Sequence, residues 1–181
     1  MIIETERLII RKFTNEDMDL ILDINNDPEC IKFNGWDSMS IERCKEVLDK
    51  WIDNYSSSSN SGAFCVENKV DKSKIGMAFI VKWKELNQYE IGFRLRRIYW
   101  DKGYAKEITR AFIRYGENIL GADAVIAEVY KANERSRNVF KKLNFKESIH
   151  PEGEDGLIYK YKIDDGSSAE MFSENMIHTE L

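Results

Sequence analysis

Histidine and cysteine are scarce in this 181-residue chain, with two of the first and three of the second. His150 and His178 stand far apart, which argues against a histidine-based metal centre. Cys30, Cys44 and Cys65 make an odd count with no C-x-x-C spacing, so they read as reduced, packed thiols rather than a disulfide framework. Long apolar runs are absent as well: nothing approaches the roughly 18 residues that a membrane span needs. The opening MIIETERLIIRKF lacks the basic start and apolar core of a secretory leader. A cytoplasmic protein without a membrane partner is expected. Basic residues are outnumbered 27 to 32, a net charge of −5. That excludes broad phosphate-backbone binding, so no nucleic-acid partner is expected. Neither a G-x-S-x-G nucleophile elbow nor a G-x-x-x-x-G-K-S/T phosphate loop occurs, which disfavours a serine hydrolase and nucleotide hydrolysis.

What is present suits a globular domain: 43% apolar and 33% charged residues, enough for a core. Arg7–Arg11 reads as a first strand, and Thr14 caps a helix that Asn25-Asn26-Asp27-Pro28 ends. Ser40 caps a second helix, Ile41 to about Asn54, with Val47, Leu48, Trp51 and Ile52 on one face. A polar loop, Ser56–Ser61, follows. Strands are predicted at Ala63–Glu67, Ile75–Trp83 and Tyr89–Arg96, with a hairpin turn at Val70–Lys74. A helix from Gly103 to about Ile119, a fifth strand at Ala124–Tyr130 and a helix at Glu134–Leu143 come next. A strand pair over Phe145–Ile163, interrupted by PEGEDG, closes the pattern. The order is α+β (mixed α/β), expected as a single domain over 1–163 with an acidic, frayed tail over 164–181. The oligomeric expectation is a monomer or a homodimer.

The informative stretch is Tyr89–Ala105, YEIGFRLRRIYWDKGYA. A strand ends near Arg96, and a turn holding Lys102-Gly103 opens directly into a helix. Free N–H groups and the positive dipole end of a helix start favour an anion. Gly103 has no side chain to keep a phosphate from the backbone, and Arg96, Arg97 and Lys102 add positive charge. Taken alone, a glycine before a helix is usually a tight turn. About 30 residues on, Asn133-Glu134-Arg135-Ser136 follows a strand and opens the next helix. Asn133 either caps that helix or bonds an extended ligand. Strands whose following helices start on one edge leave a crevice where ligands bind in mixed sheets.

These segments resemble the GCN5-related N-acetyltransferase (GNAT) family. Trp100–Ala105, W-D-K-G-Y-A, is similar to the family's acyl-CoA pyrophosphate loop, Q/R-x-x-G-x-G/A, and N-x-x-S at Asn133–Ser136 with Phe140 and Leu143-Asn144-Phe145 resembles its later N-x-x-S…GF segment. Thr5-Glu6-Arg7-Leu8-Ile9-Ile10-Arg11 is similar to the opening of the ribosomal-protein-alanine N-acetyltransferase (RimJ/RimL) type, as is Tyr99-Trp100. The resemblance covers roughly residues 3–163. It implies a GNAT fold: a mostly antiparallel central sheet with flanking helices, whose parallel fourth and fifth strands splay apart. It also implies acetyl-CoA as co-substrate and no metal. Pantetheine would lie along Phe93 and Leu95, with pyrophosphate on Trp100, Asp101, Lys102, Gly103, Tyr104 and Ala105 beside Arg97. Asn133, Ser136 and Phe140 would flank the arm. Three residues depart from the pattern. Trp100 replaces Gln or Arg, Asp101 stands where the RimJ/RimL type often has Gly, and Asn144 replaces a Gly after the last helix.

Direct acetyl transfer needs an unprotonated amine and therefore a base. Glu90, ten residues before Trp100, sits where some family members carry a catalytic glutamate; the other reading is a solvated strand residue. Glu128 is the second candidate, and Glu85 or Glu154–Asp155 would shape the acceptor site. Phe140 stands where many members have a tyrosine acid. Ser136 then becomes the donor to sulfur, or else a first-turn serine bonded to its own backbone. An oxyanion would meet a backbone N–H near Phe93. Trp36, Trp51, Trp83, Tyr55 and Phe33 line an acceptor pocket or belong to the core, with Trp36 the best pocket candidate. The expected acceptor is a protein or peptide N-terminal α-amine. A polyamine or aminoglycoside, or a non-catalytic acyl-CoA-binding module, are the alternatives.

Overall fold

A computed structural model of the chain describes residues 2–33, 35, 37–57, 60–84, 87–151, 153 and 155–163. Trp36, Glu85, Glu152, Glu154, Ser58, Ser59 and the tail 164–181 lie outside the described residues. The strands are β1 (Ile2–Glu4), β2 (Leu8–Arg11), β3 (Gly62–Asn68), β4 (Lys74–Lys82), β5 (Gln88–Leu95), β6 (Ala124–Tyr130), β7 (Lys146–Ile149) and β8 (Gly156–Lys162). The helices are α1 (Met18–Asn26), α2 (Pro28–Ile31), α3 (Ile41–Asn54), α4 (Tyr104–Asn118) and α5 (Glu134–Lys141). The fold is the expected α+β one. The strands form one mostly antiparallel sheet in the order β1-β2-β3-β4-β5-β6-β8-β7. β1 and α2 are additions, so the expected fourth and fifth strands are β5 and β6.

The chain divides into two compact units, the first holding residues up to Phe79 together with Phe93–Tyr104. In this unit β2 pairs antiparallel with β1 and with β3, in the registers Ile3↔Ile10 and Ile10↔Val66. Helices α1 and α3 pack Leu20, Ile21, Ile24, Cys44 and Leu48 against Phe13, Cys65 and Met77. Ser40 Oγ accepts from Arg43 N–H at 3.1 Å, the expected cap of α3. Asp27 both ends α1 and caps α2 through Glu29 N–H at 3.0 Å, because proline tolerates the first turn of a helix. A fully buried carboxylate, Asp17, organises the unit. Arg11 holds it through two bonds of 2.8 and 3.0 Å, and Lys74 lies 3.3 Å away. Burial pushes this carboxyl up, but the Arg11 and Thr14 hydrogen bonds and the nearby cations outweigh that and hold it below its ordinary value.

Among the described residues the second unit holds Ile80–Gly92 and Ala105–Ile163. Its ladders are β6–β8, antiparallel over Ala124↔Lys162 to Tyr130↔Gly156, and β7–β8. β5 runs parallel to β6 over three register pairs, Gln88↔Ala124, Tyr89↔Val125 and Glu90↔Ile126. That ladder stops at Glu90, while β6 continues pairing with β8 to Tyr130, the signature of strands that part. Helix α4 buries Ile108, Ala111, Phe112 and Tyr115, the face its spacing predicts. Phe140 stacks on Tyr159 and meets Phe145 edge-on, at centroid distances of 5.5 and 5.1 Å. Asn144, at φ +61°, takes the left-handed conformation that asparagine tolerates after a helix.

Candidate active site

In the first unit β5 ends at Leu95, a single 3₁₀ turn covers Arg97–Tyr99, and the chain turns through Trp100–Gly103 into α4. Asp101 and Gly103 are both left-handed, at φ +59° and +84°, while Lys102 between them is not. Alternating handedness of this kind turns successive N–H groups to one side and makes a concave anion cradle. The helix start adds its own free N–H groups and positive dipole end. Asp101 takes this left-handed conformation without being glycine because its short polar side chain tolerates it. Its carboxylate is exposed. The Trp100 indole N–H donates to the Leu95 carbonyl at 2.8 Å, bracing the loop against the end of β5. The Cys30 thiol donates to the same carbonyl at 3.4 Å.

The positive charge expected around this loop is largely matched by carboxylates. Arg96 meets Asp19 at 3.0 Å and Asp23 at 2.8 Å, and also donates to the Lys74 carbonyl. It is therefore a fold residue rather than an anion ligand. Arg97 lies 3.2 Å from Asp27, and its side chain stays exposed. Lys102 rests its ammonium 5.4 Å from the centre of the Tyr99 ring. Phe93 is half-buried and Leu95 buried.

In the second unit the two candidate carboxylates come together. Glu90 stands opposite Ile126, and Glu128 lies two residues further along β6, on the same face by strand alternation. Glu90 is half-buried. Burial, followed by the like charge of Glu128, pushes its carboxyl up to about 7. A carboxyl poised there exchanges a proton readily at neutral pH, the property a general base needs. Glu128 in turn lies 3.4 Å from His150 Nε2. A Cβ on Gly156 would sit 2.9 Å from His150 Cβ, so glycine makes room for the imidazole.

Asn133 caps α5, its Oδ1 accepting from Ser136 N–H at 3.1 Å. Among the described residues the Ser136 hydroxyl makes no bond to its own turn. The next residue, Arg137, donates to the Lys131 carbonyl at 2.9 Å and to Tyr159 Oη at 3.3 Å, anchoring the start of the helix. Phe140 is 2% exposed and belongs to the core. Trp51 stacks on Phe13 at 5.2 Å, and the Tyr55 hydroxyl donates to the Ala63 carbonyl, so both are built into the first unit. The best pocket candidate, Trp36, and the carboxylates Glu85 and Glu154 lie outside the described residues.

Two residues received no role from the sequence. His150 gained its place through the β6–β8 register and Gly156, neither of which a motif displays. Arg7 lay inside the quoted T-E-R-L segment, yet its side chain reaches the loop 95 residues away.

A family model described as an acetyltransferase (GNAT) domain matches residues 7–146. The N-acetyltransferase YoaA of Bacillus subtilis (strain 168) is 26% identical over 168 residues, covering 92% of this chain and 90% of that protein. Among solved structures, a GNAT-family acetyltransferase from Bacillus anthracis superposes with a TM-score of 0.76 at 25% identity, over 90% of this chain and 98% of that one. Two Vibrio cholerae structures share the fold at lower identity. One, assigned as a ribosomal-protein-serine acetyltransferase, gives a TM-score of 0.75 at 17%, over 90% of this chain and 98% of that one. The other, a spermidine N-acetyltransferase in complex with CoA and spermine, gives 0.71 at 18%, over 86% and 94%.

Proposed function

From its membership of the GNAT family, whose acetyltransferases use acetyl-CoA, we propose that this N-acetyltransferase acetylates the N-terminal α-amine of a protein or peptide, with Glu90 as the base. The observation that carries this reading is the half-buried Glu90 carboxyl beside Glu128, pushed up to about 7. An α-ammonium titrates near 7.7–8.0, so handing its proton to this carboxylate is uphill by roughly 1 kcal/mol. A lysine-like ammonium near 10.4 would be uphill by roughly 4–5 kcal/mol. The T-E-R-L-I-I-R opening and Tyr99-Trp100 support the RimJ/RimL type.

Acetyl-CoA supplies an activated thioester, and the residues present fit it: Asp101 and Gly103, left-handed on either side of Lys102, turn successive N–H groups to one side. Trp100 gives its own N–H to the Arg97 carbonyl at 3.1 Å, so the backbone N–H groups from Asp101 to Ala105 bind pyrophosphate, with Arg97 and Lys102 nearby. The Leu95 carbonyl already accepts from Trp100 and Cys30, so the pantetheine amides meet Phe93. Phe93 N–H polarises the thioester carbonyl. Glu90 takes the ammonium proton and so frees the amine nitrogen to bond to the acetyl carbon; the carbon–sulfur bond breaks, and the second N–H proton leaves with the sulfur. Ser136 Oγ donates to the departing sulfur, which needs little help because a thiol titrates near 8.5. Asn133 spends its Oδ1 on the cap, so its amide nitrogen is the group it would offer the arm, and Phe140 is a core residue.

A second reading, a polyamine acceptor, draws on the net charge of −5, the Glu90–Glu128 pair and the spermine-bound neighbour. Release of free thiol from acetyl-CoA separates the two across peptides with varied N-termini, spermidine and aminoglycosides. Turnover on peptides is expected. Turnover on spermidine alone would replace the acceptor assignment, and CoA binding without turnover on any amine would favour a binding module.

A further inference from the structure

Arg7 sits in the turn that leads into β2, and its backbone is pinned. Thr5 Oγ1 accepts from Leu8 N–H at 2.9 Å, Thr5 N–H donates to the Leu8 carbonyl at 2.9 Å, and the Arg7 carbonyl accepts from Lys69 N–H at 2.8 Å. Leu8 is fully buried on the far side. The side chain of Arg7 then crosses to the Trp100–Tyr104 loop within the same unit. Its Nη1 donates to the Lys102 carbonyl at 3.0 Å, and its guanidinium carbon lies 4.4 Å from the centre of the Tyr104 ring. Its Nη2 lies 3.4 Å from where a Cβ on Gly103 would stand. One planar group thus touches Lys102 and Tyr104 and lies beside the Gly103 between them.

We propose that Arg7 is the positioning residue of the phosphate loop: by holding the Lys102 carbonyl and covering Tyr104 from outside, it fixes the turn that aims the Gly103 and Tyr104 N–H groups at pyrophosphate. This rests on the reading of Trp100–Ala105 as the pyrophosphate site. The loop needs such a hold because two of three consecutive residues are left-handed, and one of them, Asp101, is not glycine. With its carbonyl tied to Arg7, the Lys102–Gly103 peptide cannot flip, so the Gly103 N–H keeps its direction, while the stack on Tyr104 holds the residue that follows. Only arginine supplies both contacts at once. Its fork donates in the guanidinium plane while the face of that plane lies on an aromatic ring, whereas a lysine ammonium does one or the other.

The test compares CoA with pantetheine, which lacks the pyrophosphate, as ligands of the full chain and its Arg7→Lys and Arg7→Gln variants. Calorimetry reads CoA and an NMR titration reads pantetheine. The wild type is expected to prefer CoA strongly. Both variants are expected to lose CoA affinity by about tenfold or more while holding pantetheine affinity within about twofold. Full retention of CoA affinity by Arg7→Lys would overturn the proposal, because charge alone would then suffice. Equal loss of both ligands would overturn it too, since Arg7 would then merely support the fold. A wild type that binds both ligands alike would instead overturn the pyrophosphate reading of the loop. Tyr104→Leu removes the stacking partner alone. It is expected to reproduce the selective loss and to add little to Arg7→Lys, and fully additive losses would overturn the coupling.

Discussion

Glu90 carries the sharpest pH consequence. With its carboxyl near 7, the rate of acetyl transfer at low acceptor concentration is expected to rise with pH through an inflection close to that value. Glu90→Gln is expected to lower kcat/KM by roughly a hundredfold or more and to abolish the inflection. Glu128→Gln is the informative companion. It removes the like charge but not the burial, so the inflection is expected to move below 7 while staying above the ordinary glutamate value of 4.5. Rate profiles of the three proteins across pH 5–9 check this. An inflection left in place by Glu90→Gln would assign the base elsewhere. Stability carries the opposite sign. Glu90 binds its proton more tightly folded than unfolded, so its contribution is complete below about 4.5 and is lost as the pH rises through about 7.

Among the elements, the turn between β2 and α1 depends on a single buried carboxylate. Asp17 binds Arg11 twice, accepts from Thr14 N–H at 2.9 Å and has Lys74 close by. Asp17→Asn is expected to destabilise the protein by about 3 kcal/mol, since it removes the buried charge that faces Arg11 and Lys74 and leaves Arg11 with Glu67 alone. Urea unfolding at neutral pH measures the loss. Because the native carboxyl lies below 3.8, the Asp17 contribution is present above that value and fades as the pH falls through the native one. The gap between the two proteins is therefore expected to shrink in acid. Thr14, Ser40 and Asn133 revealed the helix starts in the sequence because a cap is a local contact between neighbours. Asn25-Asn26-Asp27-Pro28 ends the first helix as expected, and Pro28 also begins the short α2, which the sequence did not display. β1 was too short, at three residues, to show any alternation. In the site, the glycine before α4 and the glutamate on β5 were legible. The neutralisation of Arg96 by Asp19 and Asp23, the meeting of His150 with Glu128, and the reach of Arg7 to Lys102 were not. Each depends on registers and packing that join distant segments, and no short motif encodes them.

For the molecule as a whole, a ligand that binds only the folded chain raises its stability in proportion to occupancy. CoA at 100 times its dissociation constant is expected to add about 2.7 kcal/mol. For a chain of this size that corresponds to an increase in Tm of about 5–10 °C. Thermal unfolding with increasing CoA checks this, and melting that ignores CoA at every concentration would contradict the acetyl-CoA assignment. Among the described residues no helix is long and apolar enough to cross a membrane.

The three cysteines act as natural reporters of opening. All of them lie in the first unit, and burial above all raises each thiol, Cys30 to about 11 and Cys65 to about 12. Alkylating reagents capture the thiolate, so closed protein reacts slowly, with half-buried Cys30 ahead of fully buried Cys44 and Cys65. Timed mass increments of one, two and three labels thus form a clock for the breathing of one half of the chain, and the other half, having no cysteine, stays silent.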